Sequence, residues 1–324
     1  MIMTHIWRLE GYGIAKETTR GTAVDPAIWV QQTEANFEDM TENVQDESSL
    51  GVLMNTSESE RTKQFAEWEL SWILAITSVW YWLLALLWSV SSAAASAWAY
   101  QHDFSMDNTN SKPSLTLSKK TPVQGLRFAN AMVASLGIAA NVWEAVIMTT
   151  WVRAKVGATA SLTKAYAVDN KLYAKHVTIK LADTVAGLDG ASALCIENVE
   201  LNLTQELEDG FCFESGVDLG DIYNKGFSID WTFTKLKQDT TYSDYVLNGT
   251  VKAMRIQIID TSTTIGASDN PTVTIDIAKV TFEDHESDGG LNDIMRENLT
   301  FKWHYDLANS SDIDISVINE QSSY

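Results

Sequence analysis

The chain has 324 residues, 45% of them hydrophobic, with 43 acidic against 23 basic side chains for a formal charge of −20. That length and apolar content suffice for one large or two ordinary cores. The acidity excludes tight, static binding to nucleic acid, which draws its affinity from Lys and Arg neutralising phosphates. Two cysteines, Cys195 and Cys212, make neither a disulfide framework nor a zinc cluster, and point to a reducing compartment.

The N-terminus, MIMTHIWRLEGYG, lacks the apolar core of a signal peptide. Residues 6–17 read as an opening strand, followed by a turn-rich loop punctuated by Gly21 and Pro26. Thr33 to Asp39 alternates polar and apolar residues. The polar stretch 40–63 then reads as a long loop, of a length that is usually functional or disordered. Ala66, Trp68, Leu70 and Trp72 alternate with Glu67, Glu69 and Ser71, the period-two mark of a strand with one dry face. An apolar helix-like run follows. Leu70 to His102 carries no formal charge and is long enough to raise a transmembrane helix. The alternation leading into it, Glu67 and Glu69 before it and the absence of flanking Lys or Arg favour a buried strand plus a buried helix.

Beyond it, 98–106 and 113–120 read as short strands, the second at an edge because of Pro113. The segment 127–155 reads as a hairpin turning at Asn141, with β-branched residues crowding Val146 to Val152. Residues 158–174 are small and polar, and read as a linker between an N-terminal unit, 1–157, and a C-terminal unit, 175–324. The second unit is plainly β: 175–182, 195–206, 226–236, 251–260, 272–284 and 298–307 all alternate. Strands at this spacing argue for a sandwich or barrel. Residues 207–226 read as a second long loop, and 283–290, EDHESDGG, as an acidic loop without EF-hand spacing.

The stretch 226–260 organises the chain. Phe227, Ile229, Trp231 and Phe233 alternate with Ser228, Asp230, Thr232 and Thr234. Asp239 or Thr240 then caps a short helix that Asn248-Gly249 ends, and a strand returns. Placing Trp68 on Trp231 also aligns Glu67 with Asp230 and Leu70 with Phe233, at an offset of 163 residues. This points to an internal duplication.

No catalytic constellation stands out. The histidines at 5, 102, 176, 285 and 304 show no metal-ligand spacing. GYGIAK lacks the third glycine of a cofactor loop, and neither G-x-S-x-G nor a P-loop is present. No enzyme activity, cofactor or metal is expected. A membrane-inserted or pore-forming protein using residues 70–100 and a carbohydrate-binding β-sandwich with exposed tryptophans remain alternatives.

The opening GYGIAKETTRGTAVDPAIWV resembles the start of siphophage major tail tube proteins, with Gly13, Lys16, Glu17, Thr18, Gly21, Thr22 and Pro26 on that family's pattern. Asp46-Glu47-Ser48, YQHDFSM followed by KPSLTL, and the strand near Asn198 extend the resemblance over most of the chain. The Trp- and Leu-rich run 72–88 departs from it. The resemblance implies a mainly β fold of two tandem tail-tube-like β-sandwich lobes, each with a short flanking α-helix. It also implies a structural subunit of the virion tail, assembled in the host cytoplasm into stacked rings, without stable membrane insertion. The implied partners are further copies of the chain, the tape measure protein inside the tube, the tail terminator and tail-tip proteins, and DNA in transient passage. The residues implied to line the lumen are Glu34, Asn36, Glu38, Glu67, Glu69, Glu200, Asn202, Thr204, Ser228, Asp230 and Thr232. Residues 40–63 and 207–226 would then make contacts between rings. Three chains give a pseudo-sixfold ring if both lobes line the lumen, and six if only one does. An acidic strand in each half leans toward three.

Overall fold

The computed structural model describes residues 6–48, 51, 53, 55–106, 113–307 and 313–323. The protein is mainly β. The first half runs β1 (Gly11–Lys16), β2 (Ile28–Val30), β3 (Gln32–Asp46), β4 (Glu58–Ile73), α1 (Val79–Leu87), β5 (Trp88–Ser96), β6 (Ala99–Met106), β7 (Leu115–Lys120), β8 (Gly125–Asn141) and β9 (Ile147–Ala154). The second runs β10 (Ala158–Thr159), β11 (Val177–Ala182), β12 (Ile196–Gly210), β13 (Asp221–Leu236), α2 (Thr241–Asn248), β14 (Val251–Ile259), β15 (Thr272–Asp288), β16 (Arg296–Trp303) and β17 (Ile313–Asn319). Among the described residues these strands are hydrogen-bonded into one 17-stranded sheet.

Two strands turn that sheet into layers. The start of β8 pairs with β7, while its end lies between β9 and β12. The start of β15 lies between β14 and β17, while its end pairs with β16. Each strand changes neighbours at a β-bulge, Val133/Ser135 in β8 and Phe282/Asp284 in β15, where the extra residue bends the strand. The result is a broad sheet in the order β3-β4-β9-β8-β12-β13-β16-β15. Its apolar face is covered by the remaining strands and both helices, with one continuous core between the layers.

The pairing pattern recurs between the halves. In the hairpin β3–β4 the register shifts between Gln32/Glu34 and between Glu42/Asn43; in β12–β13 it shifts between Ile196/Asn198 and Glu206/Leu207. Gln32↔Trp72 corresponds to Ile196↔Lys235, and Glu42↔Lys63 to Glu206↔Gly226. Leu117↔Phe128 corresponds likewise to Met254↔Ile277, beside a bulge whose extra residue lies on β8 and on β15. Val133↔Val152 corresponds to Phe282↔Phe301.

The apolar run resolves as the end of β4 followed by α1. All nine residues of α1 are buried, because a helix apolar on every side belongs inside a core. Among the described residues no helix is long and apolar enough to cross a membrane. Trp72 and Trp82 stack at 5.1 Å, and Phe37 meets Trp68 at 4.5 Å. Trp88, in the left-handed conformation with φ 74°, ends the helix, and its indole N–H donates to the Ala85 carbonyl at 3.0 Å. The small residues after it, with no apolar alternation to mark them, form the exposed strand β5 on β6. The hairpin expected over 127–155 forms from β8 and β9.

Three sequence expectations change. Residues 40–63 and 207–226 were expected as loops, but about half of each stretch is the outer end of a hairpin, 40–46 with 58–63 and 207–210 with 221–226. From Glu38 to Asp46 every residue of β3 is exposed. With both faces wet, no period-two pattern marks the strand. Residues 49, 50, 52 and 54 of the first stretch lie outside the described residues. The acidic stretch 283–288 is the end of β15, exposed except at His285, and with polar residues on both faces it shows no apolar period. Residues 158–174, expected as a linker, are stitched to the body. Ile76 N–H donates to Asn170 O at 3.0 Å, Leu172 N–H to Leu74 O at 2.9 Å, and the Asp169 carboxylate accepts from the Thr77 and Ser78 N–H groups at 3.0 and 3.2 Å, capping α1. Leu172 is fully buried.

Trp82 is fully buried against Trp72. Trp82→Ala is expected to cost about 3–5 kcal/mol, read from the urea unfolding midpoint at unchanged slope.

Candidate functional site

The broad sheet has one face turned away from the core, and that face carries the candidate residues. Cross-strand partners share a face, so the registers define it. Glu34 lies opposite Ser71, Asn36 opposite Glu69 and Glu38 opposite Glu67. Glu200 lies opposite Thr232, Asn202 opposite Asp230 and Thr204 opposite Ser228. The two groups are bridged by β9 and β8, where Ser71 meets Thr149, Thr149 meets Gly137, and Gly137 meets Asn202. One row therefore crosses all eight strands: Glu34, Ser71, Thr149, Gly137, Asn202, Asp230, Lys302 and Thr281. At normal strand spacing it is about 35 Å wide. All eleven residues singled out in the sequence sit on this face, each half-buried or exposed.

The face is built by alternation. In β4, Trp68, Leu70 and Trp72 point into the core, which forces Glu67, Glu69 and Ser71 outward. In β13, Ile229, Trp231 and Phe233 do the same for Ser228, Asp230 and Thr232. Gly137 leaves room for its neighbour, since a Cβ there would stand 3.0 Å from Asn202 Oδ1. Side-chain hydrogen bonds tie adjacent strands: Ser71 Oγ and Thr149 Oγ1 at 3.0 Å, and Thr234 Oγ1 to Asn298 Oδ1 at 2.7 Å. Within β12, Asn202 Nδ2 donates to Glu200 Oε1 at 3.1 Å.

The electrostatics are acidic with placed exceptions. Arg153 of β9 bonds to Glu67, donates from Nε to both Asp209 oxygens at 3.1 Å, and lays its guanidinium 3.6 Å from the Phe65 ring centre. Lys302 pairs with Glu283 at 3.0 Å, and that hydrogen bond, helped by the nearby Asp230 charge, raises its pKa. Arg296 pairs with Glu197 at 2.7 Å. Asp284, Glu286 and Asp288 extend the acidity along β15, opposite Thr300, Asn298 and Arg296. Sequence reasoning missed these residues and Arg153. The β-branched run around Val152 marked β9 as a strand, but its register on β4 is a tertiary fact that alternation does not encode.

Among the described residues no group of three or more His, Cys, Asp or Glu is placed to hold a metal ion; His5 lies outside them. His102 is buried, its Nε2–H donating to the Gln321 carbonyl at 3.0 Å and its Nδ1 lying 2.7 Å from Ser92 Oγ, and burial lowers its pKa. Cys195 and Cys212 are free and exposed.

The model of one protein family, described as phage tail tube protein, matches residues 8–303. A search of the curated proteins returns no match. The match covers most of the chain, and the chain belongs to the phage tail tube family.

Arg153 neutralises the centre of the first hairpin. Arg153→Ala is expected to lower stability by about 1.5–3 kcal/mol, the worth of hydrogen bonds to charged partners, seen as a lower urea midpoint.

Proposed function

We propose that the chain is the ring-forming subunit of a viral tail tube and that the polar face of its eight-stranded sheet lines the lumen. Membership of the tail tube family gives the structural role and the virion tail as its place. The observation that carries the lumen assignment is the single polar face running across both halves. It offers DNA acidic and neutral groups with few cations, so the phosphate backbone is repelled and meets no adhesive site. The other face of the same sheet is committed to the core.

The same observation favours three chains per ring. In a hexamer with one half inside and the other outside, the two halves would face different surroundings. Here they contribute four strands each to one sheet with one polar side, as two repeated tube lobes would. Rings stack around the tape measure protein, with terminator and tip proteins at the ends, after assembly in the host cytoplasm. The ends of the two hairpins project from the sheet and are the segments that meet the next ring.

Negative-stain microscopy of the purified protein, with mass photometry, is expected to show rings or hollow tubes, the ring having the mass of three 36.0 kDa chains. Dispersed particles that bind liposomes would sink the reading, and a six-chain ring would overturn the trimer. Glu69→Lys with Glu200→Lys places cations on the face without touching the Arg153 pair. Such tails are expected to assemble but to slow genome ejection at low salt. Normal ejection would remove these residues from the lumen.

A further inference from the structure

A lysine, a glutamate and a histidine meet inside the second half. Lys235 of β13 and Glu297 of β16 are directly opposed across the sheet. The Lys235 ammonium lies 2.8 Å from Glu297 Oε1, and the two side chains are 7% and 0% exposed. His285 of β15 donates from Nε2 to Glu297 Oε2 at 3.0 Å. The Tyr242 ring covers the ammonium at 4.4 Å, and Phe233 and Phe282 each lie 6.0 Å from that ring. Among the described residues this is the one lysine–carboxylate pair with both side chains under a tenth exposed.

The recurring pairing pattern shows that the fold does not need charge at this place. Through the matching registers and bulge, Lys235 corresponds to Trp72, Glu297 to Met148 and His285 to Leu136. Those three residues are buried and apolar. Trp72 is opposed to Met148 as Lys235 is to Glu297. A dry ion pair contributes little net stability over an apolar set of similar volume. What sets the charged version apart is its chemistry. An amine touches one oxygen of a carboxyl group, a hydrogen-bond donor holds the other, and aromatic rings keep water away.

We propose that this is a self-modification site, at which Lys235 and Glu297 condense to an amide that joins β13 to β16 covalently. A proton passes first from Nζ to Oε1, which neutralises both groups, the form that a dry site favours. The Nζ lone pair then attacks Cδ. The Nζ–Cδ bond forms and the Cδ–Oε1 bond breaks. Oε1 leaves as water with two of the three Nζ protons, and the third stays on the amide. Oε2 becomes the amide oxygen, and the His285 N–H that already bonds it stabilises the charge that develops there. No oxidant, reductant or second substrate is needed. The link joins residues 62 positions apart, so it would tie the second half together against unfolding. It goes beyond the tube role and does not depend on it.

The test is intact-mass spectrometry of the purified full-length chain in denaturant. The expected mass is about 18 Da below that of the sequence, the water lost when the amide forms. Protease digestion is expected to yield a branched peptide that joins the segment containing Lys235 to the segment containing Glu297. The full sequence mass, with the two segments separate, would overturn the proposal and requires no variant to fold. Lys235→Met keeps a side chain of similar length without the amine and is expected to restore the full mass. A water loss that persists in that variant would place the modification elsewhere and overturn the assignment. His285→Ala is expected to lower the cross-linked fraction about ten-fold, and His285→Gln, which restores an N–H donor, to recover it. Equal cross-linking in His285→Ala and the unsubstituted chain would remove His285 from the reaction.

Discussion

The pairing of β8 with β12 is the constraint on which the rest of the structure depends. Seven opposed residue pairs join the two halves, and they do so edge to edge in one sheet. An edge-to-edge junction preserves the sidedness of a sheet. Once β8 and β12 are in register, the outward side chains of β4 and β13 must lie on the same surface, and the tryptophans behind them must lie in the same layer. A junction made by packing one sandwich against another would have left each half free to turn its polar face elsewhere.

The core answers that geometry. A sheet this broad presents its dry face to a layer made of several short strands and two helices, and large rigid side chains fill the space. In the first half the task falls to Trp68, Trp72 and Trp82 with Tyr12 and Phe37. In the second it falls to Trp231, Phe233, Phe282 and Phe301 with Tyr242 from α2. The second core also holds Lys235, whose ammonium lies 2.8 Å from Glu297 and 4.4 Å from the Tyr242 ring centre, with His285 3.0 Å from the other Glu297 oxygen. A buried pair of this kind adds little net stability but makes loss of either partner costly, so it fixes β13, β16 and β15 in one alignment. The Trp-rich run is thus an all-apolar solution to a position that the second half fills with aromatics and an ion pair.

How much of this was legible follows from where alternation holds. The unit Gly226 to Asp260 read correctly as strand, helix and strand because Ile229, Trp231 and Phe233 are dry and their neighbours wet, and because Gly249 sits in the left-handed conformation that ends α2. Glu67, Glu69 and Asp230 were picked out by the same rule. The hairpin ends and most of β5 were not, because strands solvated on both faces carry no period, nor was the acidic end of β15, whose inward positions His285 and Ser287 are polar like their neighbours. Arg153 was illegible for another reason. Its meaning comes from Glu67 and Asp209, which are distant in sequence, and only the register of β9 on β4 brings them within reach.

The acidity of the polar face also bears on how the edges of the sheet can pair. Along β3 and β15, Glu38, Asp284, Glu286 and Asp288 lie close to the two free edges, where like charges oppose one another on approach. Backbone hydrogen bonds formed along the edge must exceed that repulsion, which counter-ions at physiological salt screen over about 8 Å. An isolated chain therefore presents edges that pair poorly with arbitrary strands, and pair well only where several further contacts are made at once.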